Sequence, residues 1–379
     1  MRIVLVDQFG EMGGGQRCLL EAAAGFHARG WEAWAAVPAH GPFAAELAPY
    51  CAGVFSIPCG PFRSTRKSIS DALRFAGQLP PQAATIARLV RKSRADIVYV
   101  NGPRVLAAAA LGRLGRPLIY HAHWMPPQES ASSFARSILR WSRASVIAPS
   151  KLAAEWLQKS IDFDRVFTVY NGAAEPFSKP VARDRIARVA VLGRISPEKG
   201  QLEFVRAARK VSEQIRGLRF IVCGAPLFSE RRYFDDVRAE ANGPVQFESW
   251  TEDVPGFLAG IDLLVVPSLN DNLPRVILEA FAAGVAVLAF DAGAIPELVE
   301  HGQTGLLVRE RTAEALAQAI LAATAKPDTL NDLAARARLR LRERYTLARF
   351  QSEICAAVES VLRRHHQRSL RNAGASAAA

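Results

Sequence analysis

Two cations stand close together in LGRISPEKGQ, residues 192–201: Arg194 and Lys199 lie on either side of a Ser-Pro turn. Small apolar residues precede them, and a stretch with Leu202, Val205, Ala208 and Val211 along one side follows, which reads as strand, loop and helix. Ser196 and Pro197 suit a cap and a first helical position. The cations then sit at the carboxyl end of a strand, the edge where parallel α/β sheets bind ligands. Two fixed positive charges at that edge suit an anion, most simply a phosphate group. Taken alone, such a pair more often belongs to a solvated surface.

A second cluster is PSLNDNLPRVILEAFAAGVAVLAF, residues 267–290. It reads as a strand end, a loop and a helix closed by Gly284, so Asn272 and Leu273 offer backbone N–H groups where a helix N-terminus favours an anion. Asp271 precedes that helix and Glu279 lies two turns inside it. Carboxylates accept pairs of vicinal hydroxyls, so this spacing suits a sugar beside phosphates and a ribose deeper in. In the third cluster, FDAGAIPELVEHGQTGLLV, Glu297 occupies the first turn of a short helix. Capping by Asp271, solvation of Glu279 and dipole compensation by Glu297 are the plainer explanations for each acid taken singly. The first half adds Gly13, Gly14 and Gly15, and PLIYHAHW, a strand ending in His121 and His123. The glycines fail as a dinucleotide fingerprint, because Cys18 stands where the third glycine belongs.

The elements that must position these residues alternate along the chain. RIVLV, EAWAAV, DIVYV, PLIYHAH, SVIAPS and VFTVY are strand-length, and segments such as GGQRCLLEAAAGFHARG between them read as helices. The alternation pauses over residues 171–188, which hold two prolines, mixed charge and no period, and resumes with VAVLG, RFIVCG, VQFES, DLLVVPS and VAVLAF. Two α/β domains with parallel sheets are expected, at 1–175 and 189–345 around a linker at 176–188. A C-terminal helix over 346–367, packing back toward the first domain, and a basic, Ala-rich tail at 368–379 are expected after them. The length of 379 residues agrees with two domains. Half of the residues are hydrophobic, as in a globular protein. Five scattered cysteines without ligand spacing point to reduced thiols. With no secretory pattern at the start and no apolar run long enough to span a bilayer, the expected location is cytoplasmic.

Together GRISPEKG, PSLNDNLPRVILEAFAAG and DAGAIPELVEHGQTGLLV resemble the signature of glycosyltransferase family 4. The resemblance extends to the Gly-rich first loop and helix, to SVIAPSKLAAEWL and to VYNGA. It implies the GT-B architecture, with two Rossmann-like domains facing across a cleft, and retaining transfer from a nucleoside-diphosphate sugar. Arg194 and Lys199 would bind the donor diphosphate and stabilise it as leaving group. Glu279 matches the acid that contacts the ribose, and Asp271 the acid near the transferred sugar, where the family carries Glu. Glu297 matches an orienting or loop-holding acid. Gly13, Gly14 and Gly15 would approach the donor phosphates and sugar. His123 matches the family's strand-end histidine, with His121 as the alternative. Such transfer is described as front-face attack assisted by the leaving phosphate. The expected acceptor is a glycan or lipid-linked hydroxyl, in cell-surface polysaccharide or lipopolysaccharide synthesis. An epimerase or hydrolase of the same fold, or a non-catalytic sugar-nucleotide-binding subunit, is the alternative.

No metal or other cofactor is expected: the cations neutralise the diphosphate, and Asp162 and Asp164 of DFD sit in a short connection that reads as a turn. The charge is uneven. Residues 1–180 hold 21 Lys and Arg against 12 Asp and Glu, while residues 181–360 hold 23 against 24. Eight basic residues (Arg63, Arg66, Lys67, Arg74, Arg88, Arg91, Lys92, Arg94) and one acid, Asp71, fall between Pro61 and Ala95, among Phe62, Ile69, Leu73, Phe75, Ile86 and Leu89. A basic amphipathic segment suits peripheral docking to an anionic membrane face through residues 61–95, aided by Arg363, Arg364, Arg368 and Arg371. A solvated helix face is the plainer explanation. Nucleic acid is not an expected partner, since no recognition motif accompanies the charge.

Overall fold

Strands form where short β-branched and aromatic runs can be buried on both faces, and in this chain they make two parallel sheets. A computed structural model describes residues 1–60, 69–123, 129–174, 182–227, 231–241, 243 and 245–377. Among them the chain divides into two compact units: the first runs from Met1 to Tyr170 and resumes at Ala348, and the second is Asn171–Leu347.

The first unit contains β1 (Arg2–Val6), β2 (Glu32–Val37), β3 (Gly53–Ser56), β4 (Ile97–Val100), β5 (Leu118–His121), β6 (Ser145–Ala148) and β7 (Val166–Thr168), in the order β3-β2-β1-β4-β5-β6-β7. The second contains β8 (Arg188–Leu192), β9 (Arg219–Cys223), β10 (Val245–Glu248), β11 (Leu263–Val266), β12 (Ala286–Phe290) and β13 (Leu306–Val308), in the order β10-β9-β8-β11-β12-β13. Every pairing is parallel. Two Rossmann-like units in one chain make this the GT-B architecture.

The topology decides where ligands can sit. Strand order reverses between β1 and β4 in the first sheet and between β8 and β11 in the second. Loops leaving such neighbours diverge to opposite faces and open a crevice at the carboxyl ends of the strands. The central strands are apolar throughout: all of β4, β6 and β12 is buried, as continuous Val, Ile and Leu runs in a covered parallel sheet require.

The eleven apolar runs read from the sequence each coincide with one of these strands to within a residue or two, and β3 and β13 are additional. Both additions are short sheet edges, of four and three residues and only partly buried. The helix at Leu347–Ala377 runs past residue 367, where the sequence places its end. It is anchored on the first unit by Arg349 Nη2, which donates to the Tyr170 carbonyl (2.6 Å), by Gln351 Nε2 on the Glu21 carbonyl (3.0 Å), and by the Arg29–Glu359 ion pair (3.2 Å). Residues 176–181 of the anticipated linker lie outside the described residues. Arg183 just beyond them ties the chain to the second unit through Asp262 (2.9 Å) and Asn331 (3.0 Å). Among the described residues no helix is long and apolar enough to cross a membrane.

Candidate active site

In the second unit, the loops after β8 and β11 are fastened to one another before any charged group is considered. Gly193 follows β8 at φ +140°, and its N–H donates to the Cys223 carbonyl (3.0 Å). Ser196 and Pro197 open a single tight turn, Pro197–Lys199, which Gly200 ends in the left-handed region at φ +70°. A Cβ on Gly200 would lie 1.9 Å from the Pro267 carbonyl oxygen, so only glycine lets this loop abut the end of β11. Leu269 N–H donates to the Glu198 carbonyl (2.9 Å) and closes the junction. Buried Gln201 holds the turn from within, donating to the Arg194 carbonyl (2.8 Å) and accepting from Ser196 N–H (3.3 Å).

This backbone brings two of the predicted residues together: Lys199 Nζ forms an ion pair with Asp271, 72 positions away in sequence. Arg194 pairs with Glu198 one turn on. Burial raises the Glu198 carboxyl, but Arg194 and local hydrogen bonds outweigh it and hold the group below its usual range. Both cations are thus accompanied by a carboxylate at the same strand ends.

Asp271 is itself a junction. Its carboxylate accepts Leu273 N–H (3.3 Å) and its carbonyl accepts Ala294 N–H (2.9 Å), while Gly293 at φ +55° approaches so closely that a Cβ would fall 2.2 Å from that carbonyl. The third sequence cluster is therefore built onto the second. The Leu273 N–H that the sequence offers to an anion is engaged by Asp271 here; Asn272 and Leu273 are both buried ahead of the helix Arg275–Ala283. Within that helix Glu279 lies 3.8 Å from Arg275 Nε, one turn back. The Glu297 carbonyl accepts from Tyr345 Oη (2.9 Å) and Arg340 Nη2 (3.4 Å), so two side chains hold its short helix by the backbone.

The first unit carries a different arrangement at its own reversal point. Asp7 follows β1, Asn101 follows β4 and His123 follows β5. His123 Nε2 lies 2.7 Å from Asn101 Oδ1, and Asn101 Nδ2 donates to both Asp7 Oδ2 and the Gly15 carbonyl (3.0 Å). Asp7 is wholly buried and accepts further hydrogen bonds from Gln16 Nε2 (2.9 and 3.1 Å) and Phe9 N–H (2.9 Å). Burial pushes its carboxyl up to about 6 despite those donors. Gly13 caps the helix Gly14–Ala28 in extended backbone, and a Cβ on Gly15 would meet the His123 ring at 3.4 Å. Of the three glycines Gly15 thus borders His123, and none of them needs left-handed backbone.

The two histidines separate clearly. His121 is fully buried, its Nδ1 is 2.7 Å from Tyr99 Oη, and burial followed by the neighbouring His123 drives its pKa well below the usual value, so it is neutral. His123 is half-buried, its ring centroid 3.8 Å from that of His121.

Asp7, Gln16, Asn101 and Glu198 were not singled out in the sequence. A signal for the first and third was present: each is the polar residue that directly ends an apolar strand run, IVLV or IVYV. In the DFD turn, Asp162 pairs with Arg165 (2.9 Å) and Asp164 with Arg364 (3.8 Å) and Arg368 (3.7 Å). Among the described residues no group of three or more His, Cys, Asp or Glu could hold a metal ion.

The basic segment is only partly an available surface. Phe62, Arg63, Arg66 and Lys67 lie outside the described residues. In the helix Ile69–Ser93, Ile86 and Leu89 are buried in the core, whereas Leu73 is 68% exposed. Lys92 lies over the rings of Trp34 (5.2 Å) and Phe55 (4.9 Å). The interspersed apolar residues therefore do not form one outward face; in the C-terminal half of this helix the apolar side faces the core, while Arg88 and Arg91 are exposed.

Comparison with known proteins agrees with the two-unit geometry. Residues 12–174 match the family model described as Glycosyltransferase Family 4, and residues 187–326 match that described as Glycosyl transferases group 1. The chain is 28% identical over 197 residues to the GDP-mannose-dependent alpha-(1-6)-phosphatidylinositol monomannoside mannosyltransferase of Mycobacterium tuberculosis, covering 50% of this chain and 51% of that protein. It is 31% identical over 179 residues to the lipopolysaccharide core biosynthesis mannosyltransferase LpcC of Rhizobium leguminosarum, covering 46% and 51%. The matches thus span about half the length of these curated relatives. Anabaena HepE, solved in complex with UDP-glucose, superposes with a TM-score of 0.81 at 24% identity, over 95% of this chain and 100% of that one.

Proposed function

Because this chain belongs to glycosyltransferase family 4, we propose that it transfers a sugar from a nucleoside-diphosphate donor to a hydroxyl of a glycan or lipid-linked acceptor, with retention of configuration and without a metal. The observation that carries this reading is the convergence of Arg194, Lys199 and Asp271 at the carboxyl ends of β8 and β11, where the second sheet reverses its strand order. A diphosphate there meets two cations on a loop that glycines fix in place.

In the proposed reaction the bond between the sugar's anomeric carbon and the diphosphate oxygen breaks. The acceptor oxygen attacks from the same face, and its proton passes to the departing phosphate. Negative charge grows on the diphosphate as the bond breaks, so preorganised cations act on the transition state more than on the bound donor. Glu279 serves the ribose and Asp271 the transferred sugar. In the first unit His123, not the enclosed His121, meets the sugar or the acceptor. The relatives' names support a glycan or lipid acceptor: one acts on a phosphatidylinositol mannoside and one in lipopolysaccharide core biosynthesis. Anionic membrane attraction through the exposed Arg74, Arg88, Arg91 and Arg94 would bring the enzyme to such an acceptor.

The test is incubation with a panel of nucleotide sugars, with and without lipid-linked glycan, while nucleoside diphosphate release is followed in excess chelator. Acceptor-dependent release is expected; release of free sugar at the same rate without acceptor identifies a hydrolase instead. Loss of release that Mg²⁺ or Mn²⁺ restores overturns metal independence. Co-sedimentation with vesicles should rise with anionic lipid and fall with salt, and indifference to both removes the membrane step.

A further inference from the structure

The hydrogen bonds around Asn101 determine which nitrogen of His123 carries the proton. Asn101 Nδ2 faces Asp7 Oδ2 and the Gly15 carbonyl oxygen, two acceptors. Turning the amide over would set its oxygen against both, so its orientation is fixed by partners on β1's exit and on the N-terminal helix. Asn101 Oδ1 is thereby directed at His123 Nε2, 2.7 Å away. A carbonyl oxygen can only accept, so Nε2 must be the protonated nitrogen, and in the neutral ring the lone pair lies on Nδ1.

Asp7 makes the arrangement stiff. It is completely enclosed, and its two oxygens accept from Gln16, Phe9 and Asn101, all of them N–H donors. A buried acceptor with this many donors cannot be turned away without leaving polar groups unpaired. The order is Asp7 to Asn101 to His123, from a strand end outward to a half-buried ring.

We propose that Asn101, held by Asp7, is a positioning residue that fixes His123 as its Nε2–H tautomer and so presents Nδ1 as an acceptor for a substrate hydroxyl. This rests on the reading of His123 as the histidine that meets substrate. His123 accepts a hydrogen bond from a sugar or acceptor hydroxyl and takes no proton, because the departing phosphate takes it. Without Asn101 the ring could turn or exchange tautomers and offer an N–H to the hydroxyl instead, which directs the wrong end of the bond at it.

The experiment is ¹⁵N NMR of the full-length protein labelled at histidine, at a pH where His123 is neutral, with His123→Gln used to assign its signals. The expected spectrum has Nδ1 in the unprotonated range and Nε2 in the protonated range, with a slowly exchanging Nε2–H. Asn101→Leu, close in size but unable to accept, should give averaged tautomer signals and fast exchange. A wild-type ring protonated at Nδ1 overturns the proposal, and so does an unchanged tautomer in Asn101→Leu. The wild-type spectrum decides even if Asn101→Leu does not fold. Nucleoside diphosphate release measured on the same samples separates the two ideas: if His123→Gln transfers sugar at the wild-type rate, the functional reading of His123 fails, whatever the tautomer.

Discussion

The two units share one topology and use its reversal point in opposite ways. At the carboxyl ends of β8 and β11 the second unit places Arg194 and Lys199, each beside an acid. At the equivalent ends of β1 and β4 the first unit places an enclosed carboxylate and an amide that lead to one half-buried imidazole. The first is a pair of ion pairs; under the proposed function a diphosphate takes over the cations that the carboxylates hold meanwhile. The second is a hydrogen-bonded chain in which every named partner is fixed by the next. The same kind of doubly wound sheet thus carries charge at one unit's reversal point and a fixed hydrogen-bonded chain at the other's.

The sharpest way to break this comparison is to remove the charge. Arg194→Ala and Lys199→Ala should each lower transfer by about 10²-fold or more, the scale of losing one preorganised contact to a developing charge. The loss should fall on kcat as well as kcat/KM, because the contact strengthens in the transition state. Near-normal turnover in both variants would remove the second unit's side of the contrast.

How much of this was legible in sequence follows the same division. Arg194, Lys199, Asp271, Glu279 and Glu297 stand in contiguous motifs whose spacing survives folding, so they could be named in advance. That Lys199 meets Asp271 could not, because 72 residues separate them and their loops are joined through Gly200 against Pro267 and the Leu269–Glu198 backbone hydrogen bond. The relay of the first unit was nearly invisible. Asp7 and Asn101 are single polar residues after apolar strands, 94 positions apart, and nothing local distinguishes a buried network from two ordinary loop starts. Edge strand β3 was missed because GVFS lacks the continuous apolar run that marks β4 or β12, and β13 because LLV is apolar but only three residues long.

A second test concerns the cost of enclosing Asp7. Burial pushes its carboxyl up to about 6, above the ordinary aspartate value of about 3.9. The folded state therefore binds this proton more tightly than the unfolded chain does. The sign follows: Asp7's contribution is most favourable below about pH 4, declines as pH rises through 6, and is flat above. The difference amounts to about 3 kcal/mol at 1.36 kcal/mol per unit. Chemical denaturation of wild type and Asp7→Asn from pH 4 to 8 isolates it, because other carboxylates cancel in the comparison. Wild type should lose stability relative to the variant by that order between pH 4 and 7. A flat or rising difference would mean that Asp7 is not enclosed as described, and the rigidity assigned to the first unit would go with it.

The smallest expected effect tests whether the second unit's ion pairs really are exchangeable. Lys199 is partly exposed and Asp271 nearly buried, and such a pair contributes on the order of 1 kcal/mol or less once solvent screening is included. If Asp271 holds Lys199 only until a diphosphate arrives, Asp271→Asn removes a competitor for the ammonium without removing the ammonium. Nucleoside diphosphate should then bind about equally or up to about five-fold tighter by calorimetry, the factor that 1 kcal/mol allows. Transfer from the sugar donor should nevertheless fall, since the carboxylate proposed to serve the transferred sugar is gone. The two readouts moving in opposite directions are the mark of a carboxylate that both competes for the cation and contacts the sugar. Weaker diphosphate binding would show instead that Asp271 organises the Lys199 loop for the anion. The second unit's site would then be as rigid as the first's, and the contrast between them would lie in charge alone.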